Sequence, residues 1–323
     1  MASHRKRVTA ADVARSLGLS RATVGYVLNE TPGQTIPEST KQRVLEAAER
    51  LGYRPNRAAR MLVTGQSRIV LLVLPDWPIE HSMRVHLDEA SLALDEAGYS
   101  LVTTTPHPGG KAQPLWESLN PDVVMGLAGL TEEQRRSIAA AGGRTVPDRP
   151  PQAAQLGYAM GPRHQVQHLV QRGHRHIAQA GTPDPRLAQL NAQRRQQALE
   201  TGADHGLSPM PTADVDRGNV TDVITGWLGR GVSAVAAYND DVAALVAGAA
   251  LRLGLSVPAE LAVIGHDDTP LAELFVPSLS SVRVDSAGLG RYIAARALAC
   301  LEGGSEPVAG PEFEAVVVPR DST

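Results

Sequence analysis

Arg21, Ala22, Gly25 and Tyr26 fall on one face of a short helix, and the positions between them, Val24, Val27 and Leu28, are apolar. Such a face carries chemistry suited to nucleic-acid bases. A guanidinium bonds guanine O6 and N7 in bidentate fashion, an alanine methyl meets a thymine methyl, and a tyrosine one turn further reaches a base or a phosphate. Side chains at the N-terminal end of a helix lying in the DNA major groove are placed for this readout. The competing reading is a solvated face on an ordinary helical hairpin, so the surrounding residues decide.

Thr9 is a good N-cap with Asp12 three positions on, and Val13, Ala14 and Leu17 follow at helical spacing up to Gly18. Ser20 then caps the second helix, so two short helices are joined by a Gly-containing turn of about three residues, a helix-turn-helix connection over residues 8–29. Small Ala14 lets the helices cross closely and Leu19 plugs the turn. A third helix is expected from Glu38 to Leu51, with Pro37 before it, Gly52 after it and Val44, Leu45, Ala48 and Leu51 as its buried stripe. Charge agrees. Residues 1–65 hold eleven Lys/Arg against five acids, a net of +6, whereas the rest holds 20 against 29, a net of −9. A small basic head on an acidic body is the footprint of a polyanion-binding module. A membrane-surface head is the rival, but no segment pairs a Lys/Arg face with a Trp/Phe/Leu face.

The runs Val8-Thr9-Ala10-Ala11-Asp12-Val13-Ala14, Gly18-Leu19-Ser20-Arg21-Ala22-Thr23-Val24 and Leu51-Gly52-Tyr53-Arg54-Pro55-Asn56 resemble the signature of the lactose-repressor (LacI) family. The resemblance implies DNA contacts from Thr9, Ser20, Arg21, Ala22, Thr23, Tyr26, Asn29 and Tyr53. It also implies that the segment after Pro55, too short to hold a helix alone in water, folds as a hinge helix in the minor groove. There Asn56, Arg57, Ala59 and Arg60 would meet DNA, and Leu62 would be the apolar wedge that bends the central base step.

Beyond residue 68, strand-like runs alternate with helical patterns: Ile69–Leu74, Tyr99–Thr103, Val123–Leu127, Thr145–Val146, Ile177–Ala180, Ala234–Ala237 and Leu261–Ile264, with a helix at Leu87–Ala97. Such alternation predicts a doubly wound α/β body with strands buried on both faces. No GxxxxGK[ST] loop is present, and Gly288-Leu289-Gly290 is half of a dinucleotide fingerprint that lacks its third glycine, so no cofactor is expected. The single cysteine, Cys300, excludes an internal disulfide and reads as a small buried apolar residue. His164, His168, His174 and His176 lack an acid-containing ligand set and read as surface or capping residues, and no metal is expected. The polar, basic stretch Met1–Arg7 has no apolar segment behind it, so no signal peptide is expected. The longest apolar helical run, around Val242–Leu251, is too short for a bilayer.

The body is similar to the same family at Gly173-His174-Arg175-His176-Ile177-Ala178, Tyr238-Asn239-Asp240-Asp241, Leu261-Ala262-Val263-Ile264-Gly265-His266-Asp267-Asp268 and Pro277-Ser278-Leu279-Ser280-Ser281. The resemblance implies a periplasmic-binding-protein-like body of two doubly wound lobes with an effector between them. Asp76, Trp77, Tyr158, Asn191, Arg195, Asn239 and Asp267 are the candidate effector contacts. Carboxylates and amides at the ends of strands can hold sugar hydroxyls or purine edges, though Asn239 and Asp240 serve equally as helix caps. Several positions depart from the family. Its sugar-anchoring arginine aligns with Asn191, with Arg194 and Arg195 a turn away, its Asp-Asn before Gly161 reads Gly157-Tyr158, and its Gly-Phe-Asp-Asp reads Gly265-His266-Asp267-Asp268.

The expected organisation is a small all-α helix-turn-helix head at 1–54, a hinge at 55–67 and an effector-binding and dimerisation body at 68–323. Its N-lobe comprises about 68–156 and 284–309, its C-lobe about 157–283 and 310–323. The expected partners are double-stranded operator DNA, a small-molecule effector and a second copy of the chain, in the cytoplasm at the nucleoid, with no membrane contact. A body that only dimerises or takes a protein partner is the alternative. An enzyme joined to a DNA-binding head would need a nucleophile elbow, metal motif or phosphate loop to be legible, and none is.

Overall fold

The computed structural model describes residues 8–29, 33–53, 65–107, 109–147, 161–207, 209–304 and 315–323. The chain divides into two compact units, Met1–Arg68 and Ile69–Thr323.

The first unit packs α1 (Ala10–Leu17), α2 (Arg21–Leu28) and α3 (Glu38–Leu51) around Val13, Ala14, Val24, Val27, Val44, Ala47 and Ala48. The α1 cap is reciprocal. The Thr9 hydroxyl accepts from Asp12 N while Asp12 Oδ2 accepts from Thr9 N at 2.9 Å. Gly18 closes α1 in the left-handed conformation, φ 66°, which a side chain would strain. The stripe expected on α3 is rotated from the real one. Leu45 is 55% exposed and Leu51 36%, while Ala47 takes the inward position. The core here is thin, and small Ala47 and Ala48 let α3 approach α1 more closely than leucines would.

The second unit holds two parallel sheets. In the N-lobe, β1 (Ile69–Val73) lies between β2 (Ser100–Thr104) and β3 (Val123–Gly126). Side chains of β1 alternate between two cores. Val70 and Leu72 join Ala90 and Leu94 of α4 (His81–Glu96), whereas Leu71 and Val73 join Trp116 of α5 (Leu115–Leu119) and Ile138 of α6 (Glu132–Ala140). The expected strand at Thr145–Val146 is a single bridge from Thr145 to Val124, because Pro147 removes the next donor.

The C-lobe begins with α7 (Gly161–Gln171), β4 (Ile177–Gly181), α8 (Ala188–Asp204) and β5 (Thr212–Asp214), a strand the sequence pattern did not reveal. It continues with α9 (Val220–Leu228), β6 (Ala234–Ala237), α10 (Asp240–Arg252), β7 (Ala262–Ile264), α11 (Pro270–Leu274) and β8 (Ser281–Val284). The parallel sheet runs β5-β4-β6-β7. Alternation repeats, with Val235, Ala237 and Val263 facing α9 and α10 and Ala234, Ala236 and Ile264 facing α7 and α8. Helix α12 (Ser286–Glu302) belongs to the N-lobe core through Ile293, Ala294 and Ala297, whereas β9 (Ala315–Val318) returns to pair antiparallel with β8. The chain therefore crosses between lobes at Val284–Ser286.

The glycines of the half-fingerprint serve packing. Gly288 N is held by the capping carboxylate of Asp285 at 2.7 Å, and a Cβ at Gly290 would overlap His86 O on α4. Cys300 is half-buried beside the N-lobe core, its Sγ 3.8 Å from Thr145 O. Ser322 and Thr323 are buried, with Thr323 Oγ1 bonded to His168 Nε2 at 2.8 Å and to Ser280 Oγ at 2.6 Å. Among the described residues no helix is long and apolar enough to cross a membrane, and no cluster of three or more metal-ligating side chains occurs.

Candidate DNA-binding face and interlobe cleft

In the head, Ser20 caps α2, its Oγ accepting from Thr23 N at 3.0 Å and bonding Thr23 Oγ1 at 2.8 Å. Val24 and Val27 are buried, so the helix turns Arg21, Ala22 and Tyr26 outward, Tyr26 at 40% exposure. Among the described residues of the head, Arg15 pairs with Asp12 and Lys41 with Glu38, while no acid pairs with Arg21. The other sequence-level candidates have structural duties. Thr9 spends its hydroxyl on the capping box, Asn29 ends α2 with its N–H on Gly25 O, and Tyr53 packs against the head core. Asn56, Arg57, Ala59, Arg60 and Leu62 lie outside the described residues.

In the body, the ends of β1, β6 and β7 converge on a cleft whose cavity, about 400 Å³, is lined by residues including Glu80, Arg84, Asn239, Asp241, Asp267 and Thr269. Asp267 follows β7 in a conformation, φ 89°, that non-glycine residues rarely adopt, a strain of order 1–3 kcal/mol. Its surroundings enforce it. Asp267 N donates to Val282 O at 2.8 Å, His266 Nδ1 contacts Oδ1 at 2.7 Å and Arg194 Nη2 lies 3.4 Å from the same oxygen. Burial by itself raises the Asp267 pKa, but His266 and Arg194 overcome it and hold the carboxyl well below the usual range. Burial lowers the pKa of His266, with Arg194 adding to the effect and Asp267 opposing it, and its Nδ1 is hydrogen-bonded to the Asp267 carboxylate. The ring fits only because residue 161 is glycine, where a Cβ would overlap it.

Arg194 was not among the expected contacts, yet it is the buried cation of the site. Its Nη1 donates to Tyr238 O at 2.5 Å, and its guanidinium sits 4.5 Å from the Tyr238 ring centroid. The burial of the Tyr238 phenol pushes its pKa up to about 12. The expected pair Asn191 and Arg195 turns elsewhere. Asn191 Nδ2 donates to Asp214 Oδ1 at 2.8 Å and Thr182 O at 3.0 Å, and Arg195 pairs with Asp214 and with Gln179 at 3.1 Å. Neither lines the 400 Å³ cavity. On α8 the residues at 191 and 194 differ by about 300° of helical rotation, so Arg194 enters under Tyr238 while Arg195 swings to β5. The i+3 offset from Asn191 was the one sequence signal available.

Asn239 does both jobs left open for it. Its Oδ1 caps α10 by accepting from Val242 N at 2.9 Å, and its Nδ2 reaches Glu80 Oε2 at 3.4 Å across the cleft. Asp240 is structural, accepting from Thr269 N and Ser281 Oγ, both at 2.6 Å, and burial raises its pKa to about 7 against those bonds. Asp268 turns to Arg283 and Arg320, each at 2.7 Å. Asp76 and Trp77 sit on the loop after β1, Trp77 packed against the C-lobe core. Tyr158 lies outside the described residues. His174 bonds Ser233 Oγ at 2.9 Å.

A basic helix-turn-helix head followed by two lobes of parallel sheet defines a DNA-binding transcriptional regulator with a periplasmic-binding-protein-like body. Residues 9–56 match the model for bacterial regulatory proteins of the lacI family, and residues 166–323 match that for periplasmic binding protein-like domains. The chain thus carries a DNA-binding domain of the lacI family and a periplasmic binding protein-like domain. It is similar to the HTH-type transcriptional regulator CelR of Thermobifida fusca, 28% identical over 90% of this chain and 91% of that one. It is equally similar to GalS of Salmonella typhimurium, 28% identical over 98% and 96% of the two chains. Among solved structures, a lac repressor dimer bound to operator and the anti-inducer ONPF superposes with a TM-score of 0.78 at 22% identity, over 98% of this chain and 99% of that one. A CelR–cellobiose complex superposes at 0.63 with 24% identity, over 98% and 100%.

Proposed function

We propose that this chain is a repressor that binds a pseudo-palindromic operator as a homodimer and whose operator affinity is set by a small molecule in the interlobe cleft. The observation that carries the reading is a capped recognition helix presenting Arg21, Ala22 and Tyr26 outward, on a chain whose second unit has a lined cleft. Arg21 reads guanine and Ala22 a thymine methyl, with Ser20, Thr23, Thr9, Asn29 and Tyr53 positioning the helix or touching phosphates. Asn56, Arg57, Ala59 and Arg60 contact DNA from the hinge, and Leu62 wedges the central step. The protein acts where the DNA is, in the cytoplasm, and carries no catalytic activity and no cofactor.

Effector contacts fall to Asn239 and Asp267 from the C-lobe and to Asp76 and Trp77 from the N-lobe. Arg194 is added to them, and Asn191 and Arg195 become supports of the β5 edge. Lobe closure changes how the paired hinges meet, and coupling energies of about 1–3 kcal/mol are typical of such linkage. A thermal-shift screen of sugars, purines and amino acids, followed by gel shifts with the stabilising compound, tests this. A compound that raises the melting temperature and changes operator affinity is the expected result.

A second reading, a body that works without a small molecule, is favoured by one observation. Asp267 already has His266 and Arg194 of its own lobe as partners. Failure of every compound class together with unchanged regulation by Asp267→Ala would select it.

A further inference from the structure

The loop joining β1 to α4 behaves unlike a simple connection. Leu74 N is tied to Thr104 O at 2.8 Å, and Pro75 and Pro78 restrict the backbone on both sides of Asp76 and Trp77. Glu80 is the N-cap residue of α4, where a carboxylate ordinarily accepts from its own helix, yet its side chain makes no capping bond. It reaches instead across the cleft to Asn239 Nδ2, the amide nitrogen of the residue whose Oδ1 caps α10. Three residues earlier, Trp77 leaves the N-lobe and packs on the C-lobe core.

We propose that Asp76–Glu80 is an intrinsic strap that holds the lobes closed, through Trp77 on the C-lobe and Glu80 on Asn239, and that it tightens when Glu80 takes up a proton. The groups facing Glu80 give the reason. From the C-lobe, Asp267 and Asp241 repel its negative charge, Arg194 attracts it and Asn239 donates to it. Arg186 of the loop before α8 and the neutral phenol of Tyr238 also feel its charge. On its own element, His81 and Arg84 line the same cavity. Burial and the two aspartates outweigh Arg194 and Asn239, so the carboxyl is raised above its ordinary value of 4.5. A protonated carboxyl keeps a carbonyl oxygen for the Asn239 amide and sheds the repulsion. For an acid whose pKa is higher in the closed form, closure takes up a proton. Closure is therefore strongest below the ordinary value and weakens as pH rises through the raised one. The strap acts whether or not a small molecule binds in the cleft, so its test needs neither ligand nor DNA.

Hydrogen–deuterium exchange of the full chain, corrected for intrinsic rates, is followed at pH 5 and pH 8 in peptides spanning 76–82 and 238–245. The wild type is expected to be more protected at pH 5. Glu80→Gln, which keeps the acceptor and removes the charge, is expected to lose that pH dependence and stay protected at both values. Asn239→Asp retains a cap for Val242 but sets a like charge against Glu80, and is expected to lose protection at pH 8. Emission of Trp77, isolated as the difference between wild type and Trp77→Phe, provides a second readout that should shift with the same pH dependence. Wild-type pH dependence in Glu80→Gln, or full protection of Asn239→Asp at pH 8, overturns the proposal.

Discussion

At the residue scale, each site rests on a side chain whose chemistry is constrained by its neighbours. Arg21 is exposed on a capped helix, so its removal should leave the fold intact and act on base preference. Arg21→Ala is expected to cost roughly 1–3 kcal/mol at one symmetric pair of base positions. Competition binding across operators varied one base pair at a time measures this, and a uniform loss at all sequences would mark a phosphate contact instead. Asp267 shows the opposite situation. Its position after β7 was legible from Gly265-His266-Asp267-Asp268, but its partners were not, because Arg194 comes from 73 positions earlier in the chain. The family motif pointed to Asn191, whose amide is too short to replace a guanidinium and is absorbed by Asp214 and Thr182.

Elements carry a second level of constraint, set by how closely backbones approach. Helices α4 and α12 meet where Gly290 faces His86 O and Ala90 N, and any Cβ there must push the helices apart. Gly290→Ala is expected to lose about 1–3 kcal/mol of stability, read from urea or thermal melts. Unchanged stability would mean that the contact relaxes freely. The proposed hinge, residues 55–67, is the other element on which the proposed function depends. Leu62→Ala is expected to abolish specific operator binding while retaining salt-sensitive non-specific binding, the behaviour of a protein that keeps its phosphate contacts and loses its bend. A gel-shift titration at two salt concentrations distinguishes these, and unchanged operator affinity would remove Leu62 from the wedge role. Short helices with strong caps, α1 and α2, were readable because their signals are local. The stripe of α3 was misjudged at Leu45 because in a 14-residue helix of mixed polarity the partner helices, not the pattern, choose the inward face.

On the scale of the whole molecule, the contacts that link the two lobes include a polar one, Glu80 to Asn239, and an apolar one, Trp77 on the C-lobe core. Its acid sensitivity has an identifiable contributor in the N-lobe. Burial pushes the His86 pKa down from 6.5 to about 4. The unfolded chain therefore takes up a proton below pH 6.5 that the folded chain refuses until about pH 4. Stability falls as pH drops through that window, by up to about 3 kcal/mol at the acid end. His86→Gln, which cannot titrate, is expected to flatten the melting-temperature profile between pH 6.5 and 4. An equal slope in both proteins would assign the sensitivity elsewhere.

The amino-acid sequence by itself determined the elements whose signals are short-range. These are the capped helix-turn-helix with its outward Arg21, the buried parallel strands read from continuous apolar runs, and the basic head set against an acidic body. It also determined the family, because several motifs recur in order. Only the tertiary structure decided which cation meets Asp267, that Glu80 leaves its own helix for Asn239, and that β8 and β9 pair across the chain. These depend on contacts between residues far apart in sequence, and no local periodicity encodes which of several neighbouring side chains the packing of two lobes will bring together.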